Sequence, residues 1–333
     1  MKTDGMADIL PPLQCTEDGS PRRVGVEIEL IGLSIETLSA LVAEHVGGEV
    51  NAVSPYEHRI DGDASGRWQV ELDFTFLKKQ GRHDEPGATE PIRQAAESLL
   101  RLGAEQVVPL EIVSPPLPIA RLIGLDELVG RLRQAGARGT ASGILYAFGT
   151  QLNPELPATG ADTIRRYLQA FLCLFDWLKH RARVDLTRRL TTYVDPFPEA
   201  YIRRVVDPEY HPDRDGLIDD YLAANPTRNR ALDMLPLFLH LDPNRVRAQV
   251  ADERVKPRPT LHYRLPNSEV DRPGWGVTTP WKDWLQVERL AADPQRLQRL
   301  CADYCAFLDR PLSGLMDDWT EHLHSWLETT QAP

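Results

Sequence analysis

Two separate stretches of the chain alternate apolar and acidic positions at a period of two. In Val24-Gly25-Val26-Glu27-Ile28-Glu29-Leu30 an extended backbone puts Val26, Ile28 and Leu30 on one face and Glu27 and Glu29 on the other. Arg67 to Phe76 repeats the pattern, with Val70, Leu72, Phe74 and Phe76 against Glu71, Asp73 and Thr75. Glu105 to Val113 is a third strand, carrying Glu111 and ending at Ser114-Pro115-Pro116. Helical spacing takes over elsewhere. Ile35 to Val46 reads as a helix with Ser34 at its N-cap, and Leu122 to Ala135 as one closed by Gly136. Further helices are expected over 91–103 and Ile164–Val184, and two more over 280–330, broken at Arg310-Pro311. Residues 49–60 read as one extended segment, Gly143–Asn153 and Thr260–Leu265 as strands, and Asp61-Gly62-Asp63-Ala64-Ser65-Gly66 as a turn. Residues 78–89 read as a polar loop and Pro196–Pro259 as proline-rich helical pieces.

Strands with one apolar and one charged face belong to an antiparallel sheet covered on one side by helices. The predicted fold class is therefore α+β. Its organisation is a loose leader over 1–20, one large α+β domain over 21–270 and a helical extension over 271–333.

Composition narrows the function. A net charge of −11 disfavours a chain that coats nucleic acid or anionic membrane. No apolar run is long enough to span a bilayer, and the first residues lack the apolar region of a secretory signal. Four scattered cysteines, without CxxC or Cys-His zinc spacing, read as reduced thiols in a cytoplasm.

The candidate chemistry lies on the charged strand faces. Glu27, Glu29, Glu71 and Glu111 come from strands far apart in sequence and all point away from the apolar side. Gathered on one sheet, such hard oxygen donors select magnesium or manganese. Asp61 and Asp63 sit in the turn just before the second strand, where Gly62 and Asp63 would help shape the rim near Glu71. Arg264 and His262 share one face of a late strand, and an arginine fork suits phosphate or carboxylate. Arg188, after the long helix, could clamp a phosphate or simply face a helix C-terminus. Arg165 and Arg166 read as surface residues. The tryptophans Trp275, Trp281 and Trp284 read as packing, with a stacking platform as the other option. There is no GxxxxGK[ST], GxGxxG or GxSxG motif. A solvated sheet face with surface ion pairs is the competing account of any single glutamate.

Gly25-Val26-Glu27-Ile28-Glu29-Leu30 resembles the first strand of the amidoligases, carboxylate–amine ligases similar to glutamine synthetase and glutamate–cysteine ligase. Glu111-Ile112-Val113-Ser114-Pro115-Pro116-Leu117 resembles that family's second signature, and Tyr263-Arg264-Leu265-Pro266-Asn267 its late arginine strand. The three occur in the family's order across residues 22–270. The resemblance implies a curved, mostly antiparallel sheet, ATP, and two or more magnesium ions on its open face. It implies metal ligation by Glu27, Glu29, Glu71 and Glu111, catalytic roles for Arg264 and Glu111, and an acyl-phosphate route to an amide. Nucleotide would be met by Arg264, Arg188, Gln151 and Asn153. Partners would be small-molecule or peptide acids and amines, with homo-oligomerisation left open. One departure stands out. Where the family often carries Gly-x-His-x-His, this chain has Gly149-Thr150-Gln151-Leu152-Asn153, and amides are poor metal ligands. Two other functions therefore stay open: a non-catalytic binding module of the same fold, and a carboxylate-driven hydrolase such as a metal phosphoesterase or glycosidase.

Overall fold

Alternation in the sequence becomes alternation in burial. In a computed structural model, which describes residues 6–72, 109–140, 148–182, 195–310, 319–323 and 327, β1 (Arg23–Leu30) buries Val24, Val26, Ile28 and Leu30. The expected polar loop at 78–89, the helix at 91–103 and Arg188 lie outside the described residues. The architecture is mixed α/β with a mostly antiparallel sheet. The chain divides into two compact units. One comprises Gly25–Gln151 and Asn267–Thr279; the other Met1–Val24, Leu152–Pro266 and Pro280–Pro333.

The first unit holds β1 from Gly25 onward and helix α1 (Ile35–Val46), which matches the sequence reading at both ends. Ser34 Oγ accepts the Thr37 N–H at 3.3 Å, and Gly47 closes the helix at φ +70°. The segment expected to be one extended piece is instead a hairpin, β2 (Glu49–Ser54) and β3 (Glu57–Asp61), turned at Pro55-Tyr56. After β4 (Trp68–Leu72) and β5 (Leu110–Val113) the strand order is β2-β3-β4-β5-β1, with the short β6 (Leu117–Pro118) beside β1. All the pairings among β1 to β5 are antiparallel. The register stacks Ile28, Ile112, Val70 and His58 in one row and Leu30, Leu110 and Leu72 in another. These rows are buried on the α1 side, where each large aliphatic side chain contributes about 1.5–3 kcal/mol. His58 is the polar member, and its Nδ1 meets Ser39 Oγ of α1 at 3.0 Å. Helix α2 (Leu122–Gln134) packs on α1. Ser114 extends the ladder where Pro115 would end it: its Oγ accepts the Val26 N–H at 2.9 Å and donates to Pro115 O at 2.8 Å.

The Asp61–Gly66 turn forms as the sequence predicts. Gly62 sits at φ +119°, where an added Cβ would lie 3.0 Å from Gly48 Cα. Asp63 holds this turn together. Its carboxylate takes Arg121 Nη1 at 2.7 Å and Nη2 at 2.9 Å, the Ser65 N–H at 2.8 Å and Trp68 Nε1 at 2.8 Å. Burial pushes this carboxyl up, but the hydrogen bonds from Arg121, Ser65 and Trp68 outweigh it and hold the pKa at about 2. A depressed carboxyl stabilises the fold fully above its unfolded pKa and loses that stabilisation as pH falls toward 2. Asp63→Asn is therefore expected to lose about 1–2 kcal/mol at pH 7, after allowance for solvent screening, and almost nothing at pH 2. Urea titrations of both proteins across that range would read this out. A constant deficit at every pH would mean the carboxylate charge contributes nothing.

In the second unit, reached within β7 (Thr150–Pro154), the long apolar helix α3 (Ala161–Arg181) starts and ends three residues ahead of its predicted span. Phe171 packs edge-on against Phe197 and Tyr263, with ring centroids 6.3 and 6.0 Å away. The proline-rich stretch resolves into α4 (Glu199–Val206), α5 (Arg214–Ala224), β8 (Leu232–Asp233), α6 (Leu235–Leu241) and α7 (Pro243–Gln249). The late strand β9 is only His262–Tyr263, between β7 and β8. It is shorter than predicted; at Thr260 the pairing continues only as an isolated bridge to Glu155. Helices α8 (Thr278–Ala291) and α9 (Pro294–Leu308) follow. The break between them at Asp293-Pro294 was missed in the sequence: Asp293 caps the Arg296 N–H at 3.0 Å and Pro294 fits the first turn. Trp281 and Trp284 are fully buried, as the packing reading expects. The segment read as a leader carries buried Ile9, whose carbonyl accepts Trp281 Nε1 at 2.7 Å.

No helix among the described residues is long and apolar enough to cross a membrane.

Candidate functional site

Cross-strand register decides which carboxylates meet. Glu29 on β1 lies opposite Glu111 on β5, Glu111 lies opposite Glu71 on β4, and Glu71 lies opposite Glu57 on β3. Four glutamates thus form one row across four neighbouring strands, on the face turned away from α1. Directly opposed residues in an antiparallel ladder are about 4.5–5.5 Å apart at Cα, and like charges there repel. Three of the four, Glu29, Glu71 and Glu111, are the residues singled out in the sequence. Glu57 was missed, because the hairpin that supplies it was read as unbroken strand. Its signal was local: Glu57-His58-Arg59-Ile60-Asp61 alternates as β1 does. Glu27 shares the face but not the row, lying opposite Val113, which in turn faces Gln69.

The row carries its own counterweights. Glu29 is 9 % exposed. Its Oε2 accepts the Gly149 N–H at 2.7 Å and its Oε1 accepts Gln151 Nε2 at 3.3 Å. Gln151, predicted as a nucleotide contact, is therefore a neighbour of the first glutamate. Gln69 Nε2 donates to Glu71 Oε2, and Arg59 Nε donates to Glu57 Oε1 at 3.0 Å. Among the described residues, no three or more His, Cys, Asp or Glu side chains are disposed to hold a metal ion. The chemistry of the donor set nonetheless fits a hard divalent cation, because every member of the row is a carboxylate on a rigid strand.

The second unit has a polar row of its own. Asp233 pairs with His262, and Leu152 and Leu232 both pair with Tyr263. Continuing that register sets Asn153 opposite His262. Asn153 is buried, and Asp233 is wholly so. Asp233 Oδ1 accepts the Leu235 N–H at 2.9 Å, while Oδ2 lies 4.0 Å from His262 Nδ1. Burial raises the Asp233 carboxyl to about 6, against the pull of the Leu235 N–H and of Arg264 and Arg228. Burial, with Arg264, Arg258 and Arg228, holds the His262 imidazole well below its ordinary range, so it is neutral. Arg264 is half-buried; its Nη1 donates to the Arg228 carbonyl and its N–H to Ala231 O at 2.9 Å. The glutamate row belongs to the first unit and Arg264 to the second. Sequence reasoning missed Asp233, since a two-residue strand shows no alternation.

A family model described as "Putative amidoligase enzyme" matches residues 20–286. The chain belongs to the amidoligase family. The match takes in all three resemblance motifs and the glutamate row. No curated protein and no solved structure matches the chain. The family assigns this amidoligase to the ligases. Gln151, one of the two amides that stand where the resemblance would set histidines, donates to Glu29, and the other, Asn153, stands across the ladder from His262.

Proposed function

We propose that this amidoligase is an ATP-dependent carboxylate–amine ligase whose magnesium site is built on Glu29, Glu71 and Glu111, with Glu27 from the next row. The observation that carries the reading is the cross-strand row itself, in which carboxylates stand at ladder spacing where a structural sheet would separate them. Glu71 and Glu111 are half-buried and long enough to turn from their present partners toward a shared ion. Magnesium held there would offset the charge of the ATP phosphate oxygens.

In the reaction proposed, the substrate carboxylate attacks the γ-phosphorus, the bond to the bridging oxygen breaks, and ADP leaves. The amine then attacks the acyl carbon, and phosphate departs with the oxygen the acid supplied. Arg264 would hold phosphate oxygens by its fork, and Glu111 would sit nearest the reacting groups. Gln151, Asn153 and Arg188 are the proposed nucleotide contacts. The acid and the amine are an amino acid, a peptide or a small metabolite.

An ADP-release screen of amino acids and short peptides, with magnesium or with chelator, tests this. Release is expected only when acid, amine and magnesium are all present, and an acid labelled with ¹⁸O in its carboxylate is expected to deliver label to phosphate. ADP release without acid would favour a hydrolase, and unlabelled phosphate would exclude the acyl-phosphate route. The amides at Gln151 and Asn153 favour one other reading, a module that binds nucleotide without turnover. Calorimetric Mg-ATP binding with no ADP release under any pairing would establish it.

A further inference from the structure

A group of thiols and arginines outside the glutamate row has no part in the proposed ligase chemistry. Arg165 and Arg166 were read as surface residues, yet the Arg165 side chain is 11 % exposed and that of Arg166 17 %. Arg165 donates to Asp162 and, at 2.7 Å, to Gln169 Oε1, while Arg166 Nη1 donates to Ala291 O at 2.8 Å. Both arginines line a cavity of about 120 Å³ together with His211, Leu297 and Cys301. The Cys301 thiol, on α9, is also in van der Waals contact with a second one: its Sγ lies 3.8 Å from Cys173 Sγ on α3. Cys173 is 0 % exposed and Cys301 1 %. The two thiols are reduced.

We propose that Cys301 and Cys173 form an oxidisable dithiol, reached by small hydroperoxides through the arginine-lined cavity. A cavity of this size admits a water-sized oxidant such as hydrogen peroxide. Cys301 is attacked first because it faces the cavity, whereas burial pushes the Cys173 thiol well above its ordinary range.

The steps balance. The Cys301 sulfur attacks one peroxide oxygen, the O–O bond breaks, and the departing hydroxide takes up the thiol proton to become water. That leaves a sulfenic acid at Cys301. The Cys173 sulfur then attacks the Cys301 sulfur, the S–O bond breaks, and hydroxide leaves with the Cys173 proton as a second water. Two thiols are oxidised by two electrons and one peroxide is reduced to two waters. The bond ties α3 to α9, which are 128 residues apart at these positions.

The test treats the full-length protein with hydrogen peroxide, blocks remaining thiols under denaturing conditions, and maps linked peptides by mass spectrometry. The expected result is a Cys173–Cys301 cross-link, reversible by dithiothreitol, and an apparent melting temperature raised by roughly 5 °C or more. Cys173→Ser is expected to stop at a Cys301 sulfenic acid that dimedone captures. The exposed Cys15, replaced by serine in a parallel sample, excludes linkage between molecules through that thiol. Cys173 and Cys301 both remaining alkylatable, with no dimedone adduct in the variant, would overturn the proposal. So would a cross-link from Cys301 to Cys305 instead.

Discussion

Glu111→Gln is expected to reduce magnesium-dependent ATP turnover by on the order of 10³-fold, about 4 kcal/mol of transition-state stabilisation, while the fold keeps its stability or gains up to about 1 kcal/mol. Glu111 stands between Glu29 and Glu71 in the row, so its charge is opposed on both sides by like charge. Removing it relieves repulsion in the resting protein and removes the central donor from the proposed ion site. A purely structural glutamate would show neither signature: its loss would leave turnover intact or lower stability along with it. Glu27→Ala and Glu29→Ala are expected to abolish turnover as well. Glu57→Gln, at the far end and held by Arg59, is expected to cost less than about tenfold, by the same arithmetic. Steady-state kinetics over a magnesium titration, with thermal melts of each variant, would decide. Full turnover in a Glu27→Ala/Glu29→Ala double variant would falsify the metal assignment.

Arg22→Met is expected to destabilise the protein by about 3–5 kcal/mol, the largest effect on stability at any single position considered. Arg22 and Glu288 form an ion pair with both side chains 0 % exposed, at 2.8 Å. Arg22 also donates to the Leu13 carbonyl at 2.7 Å and to the Glu155 carbonyl at 2.9 Å. Glu288 collects the Tyr167 hydroxyl and, at 2.9 Å, Trp284 Nε1. The methionine strands a buried carboxylate without its cation. Arg22→Met/Glu288→Gln should regain most of the loss, since the glutamine oxygen still accepts from Tyr167 or Trp284 and carries no charge. Denaturant melts of the two variants separate charge from packing: equal damage in both would place the cost in lost contacts of the Arg22 side chain.

What could be read from the sequence was what depends on near neighbours. Helix α1 was legible because the Ser34 cap and the helical spacing that follows it are local signals. Glu29, Glu71 and Glu111 were legible because a half-buried strand writes its two faces into alternate residues. Glu57 was not, since the Pro55-Tyr56 turn lacks the Asn-Gly or Asp-Gly pair that marks a tight hairpin. Nor was the row itself, because opposition of Glu71 and Glu111 is a fact of register between strands joined by a long connection. The burial of Arg165 escaped for a related reason. Its counter-ion Asp162 and its acceptor Gln169 are visible one turn away, but part of the cavity wall comes from α9, more than 120 residues later.

Neither compact unit is a continuous stretch of chain; one gathers Met1–Val24, Leu152–Pro266 and Pro280–Pro333. On the ribosome, the first of these stretches must therefore wait, its Arg22 charge still hydrated, until Glu288 has been synthesised. Vectorial folding from the amino end is closed to this unit, and contacts of such long sequence separation form late and slowly. Apolar residues such as Ile9 and Val24 therefore lack their late partners until the α8 stretch has been made.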